Sequence, residues 1–231
     1  AAELSVTHGA TGRAPRLLLR GLACLSSEHL AERLRLWQKL GRVLSQLGDF
    51  ESSMSAWEKV VRLSFVLASR KQRAQAFLEM GRIVAHDPAR ALGLIQQSLA
   101  LFQQRQDQVG IADALDEEGQ ALVWLGKTSD GMDRLAQALE MRRRLLDRKK
   151  VAQSLLHVGQ VEYQRGALDA AMSCFDEALR KHEDDPLLAA AAMTALGSID
   201  PTGEIAANIA SPSVVGCVVH AACRSEEHTS E

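Results

Sequence analysis

The sequence predicts an all-α fold, a solenoid of antiparallel helix pairs. Two observations carry that prediction. Four internal segments share a glycine and a pattern of bulky and small residues, at intervals of 40, 38 and 40 residues between Gly41, Gly81, Gly119 and Gly159. The composition is that of helices, rich in Leu, Ala, Gln, Arg and Glu, with only 4% aromatic residues and few β-branched ones through the middle of the chain.

Each segment opens with a helical stripe. In LWQKLGRVLSQLGDFESSMSAWEKV, from Leu36, and AFLEMGRIVAHDPARALGLIQQSL, from Ala76, the stripe runs into Gly41 and Gly81. ALDEEGQALVWLGKTSDGMDRLAQAL, from Ala114, and SLLHVGQVEYQRGALDAAMSCFDEAL, from Ser154, repeat the arrangement at Gly119 and Gly159. A bulky residue stands four positions before each glycine (Trp37, Phe77, Leu115, Leu155), and an apolar one usually precedes it (Leu40, Met80, Val158, with Glu118 the exception). Offsets of three and four share a helix face. Glycine inside a helix costs about 1 kcal/mol relative to Ala, so its recurrence predicts a neighbouring helix lying too close for a larger side chain.

Turns follow at Leu47-Gly48, His86-Asp87-Pro88, Leu125-Gly126 and Arg165-Gly166, and the turn AHDPAR is two residues tighter than LSQLGDFE, which accounts for the short interval. The second helix of each unit sets a large residue three before a small one: Trp57 and Val60, Ile95 and Ser98, Leu135 and Ala138, Phe175 and Ala178. Such alternation lets antiparallel helices interlock. Four repeats are expected at about 36–73, 74–111, 112–151 and 152–185. Residues 1–35 should hold a loop and part of a preceding repeat, with Arg16 to Leu25 as its second helix and Leu18 and Gly21 as the large and small residues. A partial fifth repeat is expected over 186–198 and an irregular or degenerate tail over 199–223. Both ends look cut. Residues 224–231, RSEEHTSE, resemble the in-frame translation of a common short-read sequencing adapter and are set aside as artefactual.

Composition excludes several functions. A net charge of −2 fits neither a nucleic-acid footprint nor an acidic tail. No run approaches the roughly 18 apolar residues of a membrane span; Leu187 to Leu196 is the longest, at ten. Cys24, Cys174, Cys217 and Cys223 are scattered, as expected of a reducing, cytoplasmic setting.

Chemistry is sparse. HGATGRAPR (His8 to Arg16) is Gly-rich but lacks the Lys-Ser/Thr pair of a phosphate loop and is expected to be a solvated loop. His86-Asp87 has no companion His cluster and reads as a helix-ending turn before Pro88. Cys217, His220 and Cys223 are too few and too widely spaced for a zinc ribbon. Asp116, Glu117 and Glu118 are consecutive on a helix and so point apart, unlike a facing acid/base pair. MRRRLLDRKK (Met141 to Lys150) is basic, as suits a helix C-terminus, and lacks the aromatic or glycine interleaving of a nucleic-acid site. Cys24 and Cys174 are expected in the core as small residues. No catalytic site, metal site or cofactor is expected.

The recurring positions from Leu36 to Asp185 resemble the tetratricopeptide repeat in a form with a forty-residue period, although a signature Tyr of the first helix is replaced by Leu44, Val84, Leu122 and Glu162. The resemblance implies that the first helices line a concave groove in which a protein or peptide partner lies. It implies that positions three before and one after each marker glycine face that groove: Gln38 and Arg42, Leu78 and Arg82, Asp116 and Gln120, Leu156 and Gln160. Gln46, His86, Trp124 and Gln164 lie a turn further on. Arg35, Arg42 and Arg82 make the first half basic, and Asp113 and Asp116 make the third repeat acidic. A partner with acidic groups against repeats one and two is therefore expected, with Trp124 and Tyr163 as apolar anchors. No nucleic-acid or membrane partner is expected, though uncapped ends would favour self-association. The leading reading is an interaction scaffold within a larger protein. The alternative is a regulatory segment attached to a signalling ATPase, kinase or transcription regulator.

Overall fold

The computed structural model describes residues 12–181 and 186–199. All regular structure among them is helical. Ten helices succeed one another: α1 (Arg13–Cys24), α2 (Leu30–Gln46), α3 (Phe50–Val66), α4 (Arg70–Ile83), α5 (Pro88–Gln104), α6 (Gln108–Trp124), α7 (Thr128–Arg144), α8 (Arg148–Gln164), α9 (Leu168–Lys181) and α10 (Pro186–Ile199). They form two compact units, α1–α6 up to Gly126 and α7–α10 from Lys127 onward. No described helix is long and apolar enough to cross a membrane.

Local chemistry explains where helices begin. The side chains of Asp49, Asp87, Asp107 and Asp147 each accept a hydrogen bond at 3.1 Å from the backbone N–H three residues on, capping α3, α5, α6 and α8. The stretch His86-Asp87-Pro88 is such a start, with Pro88 in the first turn of α5, where its missing N–H costs nothing. A helix also begins inside the stretch expected to be a loop. α1 starts at Arg13 and carries Pro15 in its first turn, where proline is tolerated. Arg33 steadies the other end of α1, its guanidinium donating to the Leu22 and Leu25 carbonyls at 3.3 and 3.1 Å.

In the first unit each helix packs on the next, and α4 also touches α6. Ala14, Leu18 and Leu22 of α1 are buried with Leu40 and Val43 of α2 and Ala56 of α3. Burying one such leucine contributes about 2 kcal/mol. Two buried hydroxyls bind helix to helix: Ser53 Oγ donates to the Gly41 carbonyl at 2.7 Å and Ser98 Oγ to the Ala74 carbonyl at 2.8 Å. In the second unit α8 packs on α7 and α9, and α10 on α8 and α9. Val151, Ala152 and Leu155 of α8 pack with Ala178 of α9, while Ala171, Phe175 and Leu179 of α9 pack with Ala192 and Leu196 of α10.

Three of the four marker glycines, Gly41, Gly81 and Gly159, lie where the next helix comes close. A Cβ on Gly41 would stand 2.7 Å from Trp57 Nε1, one on Gly81 2.8 Å from Ile95 Cγ1, and one on Gly159 2.5 Å from Phe175 Cε1. These are the expected large residues of the second helices, and Trp57, Ile95 and Phe175 are all buried. A further close approach was not legible in the repeat pattern: Gly110 of α6 lies against the Phe102 ring of α5. The first-to-second turns carry Gly48, Gly126 and Gly166 at φ of +77°, +78° and +78°, a backbone region closed to most side chains.

Two expectations about cysteines divide. Cys24 is exposed rather than in the core, because it ends α1 on the face turned from α2. Cys174 is half-buried beside the α8–α9 cluster. Cys217, His220, Cys223 and the segment 200–231 lie outside the described residues, as do residues 1–11.

Candidate interaction face

The first helices of the pairs are α2, α4, α6 and α8, and the residues expected to face a groove fall into three groups. Arg35, Arg42 and Gln46 of α2 are exposed and Gln38 is half-buried. The arginines at 35 and 42 form no ion pair among the described residues. Gln160, Tyr163 and Gln164 of α8 are exposed, as is Trp124 at the end of α6, with 71% of its surface open.

A second group is buried. Leu78 of α4 and Asp116 of α6 are only 4% and 1% exposed, so neither lines an open surface. The reason is common to inner helices of an array: packed against a helix on either side, they bury more than one stripe. Leu156 is half-buried against the Phe175 cluster and belongs to the core too. His86 is exposed, but in the turn after α4, where it borders a groove with Phe50 and Met54 of α3 and Ile83 and Val84.

The third group forms a network. Arg82 of α4 donates from Nε to Glu117 of α6 at 2.6 Å and from Nη1 to Glu79 at 3.1 Å. Burial disfavours the charged guanidinium, but Glu117, Glu79 and Asp113 outweigh it and hold the proton more tightly than usual. Arg82 is thus committed within the fold, and one cation faces three carboxylates there. The expected basic first half of the face therefore reduces to α2. The consecutive carboxylates of α6 do point apart: Asp116 accepts from Gln120 at 3.3 Å, Glu117 from Arg82, and Glu118 from Gln96 of α5 at 3.2 Å.

The three arginines that follow Met141 are likewise engaged within the fold. Arg142 is buried and donates to Ser154 Oγ and to the Lys150 carbonyl. Arg143 makes a two-pronged pair with Glu177 at 3.0 and 2.9 Å, and Arg144 pairs with Glu140 at 3.0 Å. No three His, Cys, Asp or Glu side chains among the described residues are grouped to hold a metal ion.

Sequence reasoning overlooked the groove between α1 and α3. It is floored by Trp37, Leu40 and Leu44, with Pro15 and Leu19 on one wall, and has a volume of about 570 Å³. The Lys59 amine stands 4.2 Å above the Trp37 ring centroid. Trp37 reads in the sequence as a core residue because its stripe position is that of Leu155; only the arrangement of α1 and α3 leaves its ring half open.

This geometry defines an α-solenoid of antiparallel helix pairs, with Gly41, Gly81 and Gly159 under the large residues of their partner helices. Residues 34–65 and 151–184 each match a tetratricopeptide repeat family. The chain thus carries tetratricopeptide repeats at these two stretches, which support a protein-interaction scaffold. No curated protein sequence matches it.

Solved structures resemble it in fold. BtubC (BKLC) from P. vanneervenii is 16% identical with a TM-score of 0.67, covering 100% of this chain and 93% of that one. The apo form of RapI is 17% identical with a TM-score of 0.70, covering 90% of this chain and 78% of that one. A Rap protein complexed with Competence and Sporulation Factor is 13% identical with a TM-score of 0.71, covering 97% of this chain and 62% of that one.

Proposed function

We propose that the chain is an interaction module that holds a peptide or helical segment of a partner protein on the face of its first helices, within a larger scaffold or signalling protein. The observation that carries the reading is the division of charge on α2, α4 and α6. Arg35 and Arg42 of α2 are exposed and without an ion pair among the described residues, so they can take carboxylates in bidentate fashion. On α4 and α6 three carboxylates, Glu79, Asp113 and Glu117, surround the single cation Arg82, and this net negative charge suits a cationic group of the same partner. The proposed ligand thus places acidic groups on the first repeat and a basic group on the next two. In the second unit, exposed Tyr163 with Gln160 and Gln164 offers an apolar contact ringed by polar groups. Unpaired Cys24 and Cys174 are consistent with a reducing, cytoplasmic setting.

The Rap protein solved with Competence and Sporulation Factor has this fold and binds a ligand, which supports the reading by analogy of architecture. The test uses the whole chain as bait beside its R35E/R42E variant. A partner segment retained by the first and lost by the second supports the proposal. Equal retention by both would remove the α2 face from it.

A further inference from the structure

We propose a second docking surface on the opposite side of α2, formed by α1 and the α1–α3 groove, whose occupant is an acidic amphipathic helix of a partner protein. Three observations converge there. First, α1 (RAPRLLLRGLAC) contains three arginines and no carboxylate. Arg13, Arg16 and Arg20 are exposed and form no ion pair among the described residues. Arg62, Arg144 and Arg180, by contrast, each find an acidic neighbour on their own helix, in Glu58, Glu140 and Asp176. Second, Arg13 and Arg16 occupy the first turns of a helix with no side-chain cap. Cations are disfavoured at that end by the macrodipole, and carboxylates from outside would offset it. Third, the apolar content beside these charges is exposed: Leu17 by 44% and Leu19 by 48%.

The helical step of about 100° per residue puts Arg16 roughly 60° around α1 from Leu19, and Arg20 and Arg13 a little further. Leu19 is a wall of the groove over Trp37, Leu40 and Leu44, whose opposite side carries Lys59. A helix lying along α1 would lower apolar side chains into this groove while carboxylates on its flank meet Arg16, Arg20 and Arg13. Asp49 and Glu51 border the end of the groove near the α2–α3 turn, so the carboxylates belong on the α1 side.

Charge complementarity alone would also suit an anionic membrane, but the shape does not. The apolar stripe of α1, Ala14, Leu18 and Leu22, is committed to the core, and the half-buried Trp37 and Leu44 lie recessed in the groove. An interfacial helix needs a protruding apolar face.

The experiment titrates the full chain into a fluorescein-labelled 14-residue peptide of Glu and Leu, with Leu at positions i, i+3, i+4 and i+7, and follows anisotropy. Binding is expected to weaken at least tenfold in R13E/R16E/R20E and in S55W, which fills the groove, and to remain unchanged in R35E/R42E. Circular dichroism should show unaltered helicity, because all six altered side chains are exposed. No binding, or equal binding by R13E/R16E/R20E, overturns the proposal. A loss confined to R35E/R42E places the peptide on the face described above and also overturns it. So does co-sedimentation of the chain with vesicles of 30% phosphatidylserine in phosphatidylcholine without peptide binding, or a self-associated chain that R13E/R16E/R20E converts to monomer.

Discussion

The same substitution, Gly to Ala, should have opposite effects at two helical glycines of this chain. Gly93 lies in α5 with open space around the place of a Cβ. Alanine there gains helix propensity and loses nothing, so G93A should stabilise by about 1 kcal/mol. Gly159 lies in α8 beneath Phe175, where a Cβ would come within 2.5 Å of Cε1 and 2.8 Å of Cδ1. The ring is rigid, 2% exposed, and enclosed by Ala171, Leu179, Ala192 and Leu196, so it cannot swing aside. Overpacking of this kind costs about 1–3 kcal/mol, and the propensity gain recovers only about 1 kcal/mol. G159A should therefore destabilise by up to about 2 kcal/mol. Repeat arrays depart from two-state unfolding, so hydrogen exchange resolved by helix is the apt assay. G159A should lower protection in α8 and α9, and G93A should raise it in α5. F175L should partly rescue G159A, because the shorter side chain withdraws from the glycine, and the double-mutant cycle should show coupling of about 1 kcal/mol. Equal stabilisation by G93A and G159A would refute the claim that the marker glycines exist for close approach.

Three other outcomes follow from local geometry. Leu146 lies at φ +56° and is 85% exposed, so L146G should stabilise by about 1 kcal/mol and raise the melting temperature by about 2–4 °C; a lower melting temperature would contradict this. A double-mutant cycle of R82M and E117Q should report a coupling of about 1 kcal/mol that shrinks in high salt, since both side chains are partly open to solvent; zero coupling at low salt would show that the pair does not tie α4 to α6. Burial raises the pKa of the Cys174 thiol, with Glu162 and Glu177 adding to the rise against Arg143. At pH 8 iodoacetamide should therefore label exposed Cys24 well ahead of Cys174, as site-resolved mass spectrometry would show; equal rates would remove the burial argument.

The period was legible because its cause is steric and local. Gly41, Gly81 and Gly159 each admit one large side chain from the next helix, so Gly41 points to Trp57 and Gly159 to Phe175 from the spacing alone. The Gly110–Phe102 contact obeys the same physics yet was not legible, because the repeat pattern placed no glycine at that position in the other units. The aspartate caps recur in plain view at Asp49, Asp87, Asp107 and Asp147; an N-cap search before each apolar run finds them without a fold.

The interaction face was harder to read for a different reason. A helix sandwiched between neighbours buries two stripes, and positions counted from the glycine do not say how wide the second stripe is. Leu78 and Asp116 fell inside it, while Arg35 and Arg42 of α2 did not. Arg82 shows the further gap between residue type and available charge. Its guanidinium is a cation in the sequence, but Glu79 and Glu117 occupy it in the fold, and both partners lie on first helices. Charge on such a face therefore has to be counted after internal pairs are removed. By that count Arg82 drops out, and the densest exposed basic groups left in the first unit are Arg35 and Arg42 on one side of α2 and Arg13, Arg16 and Arg20 on α1.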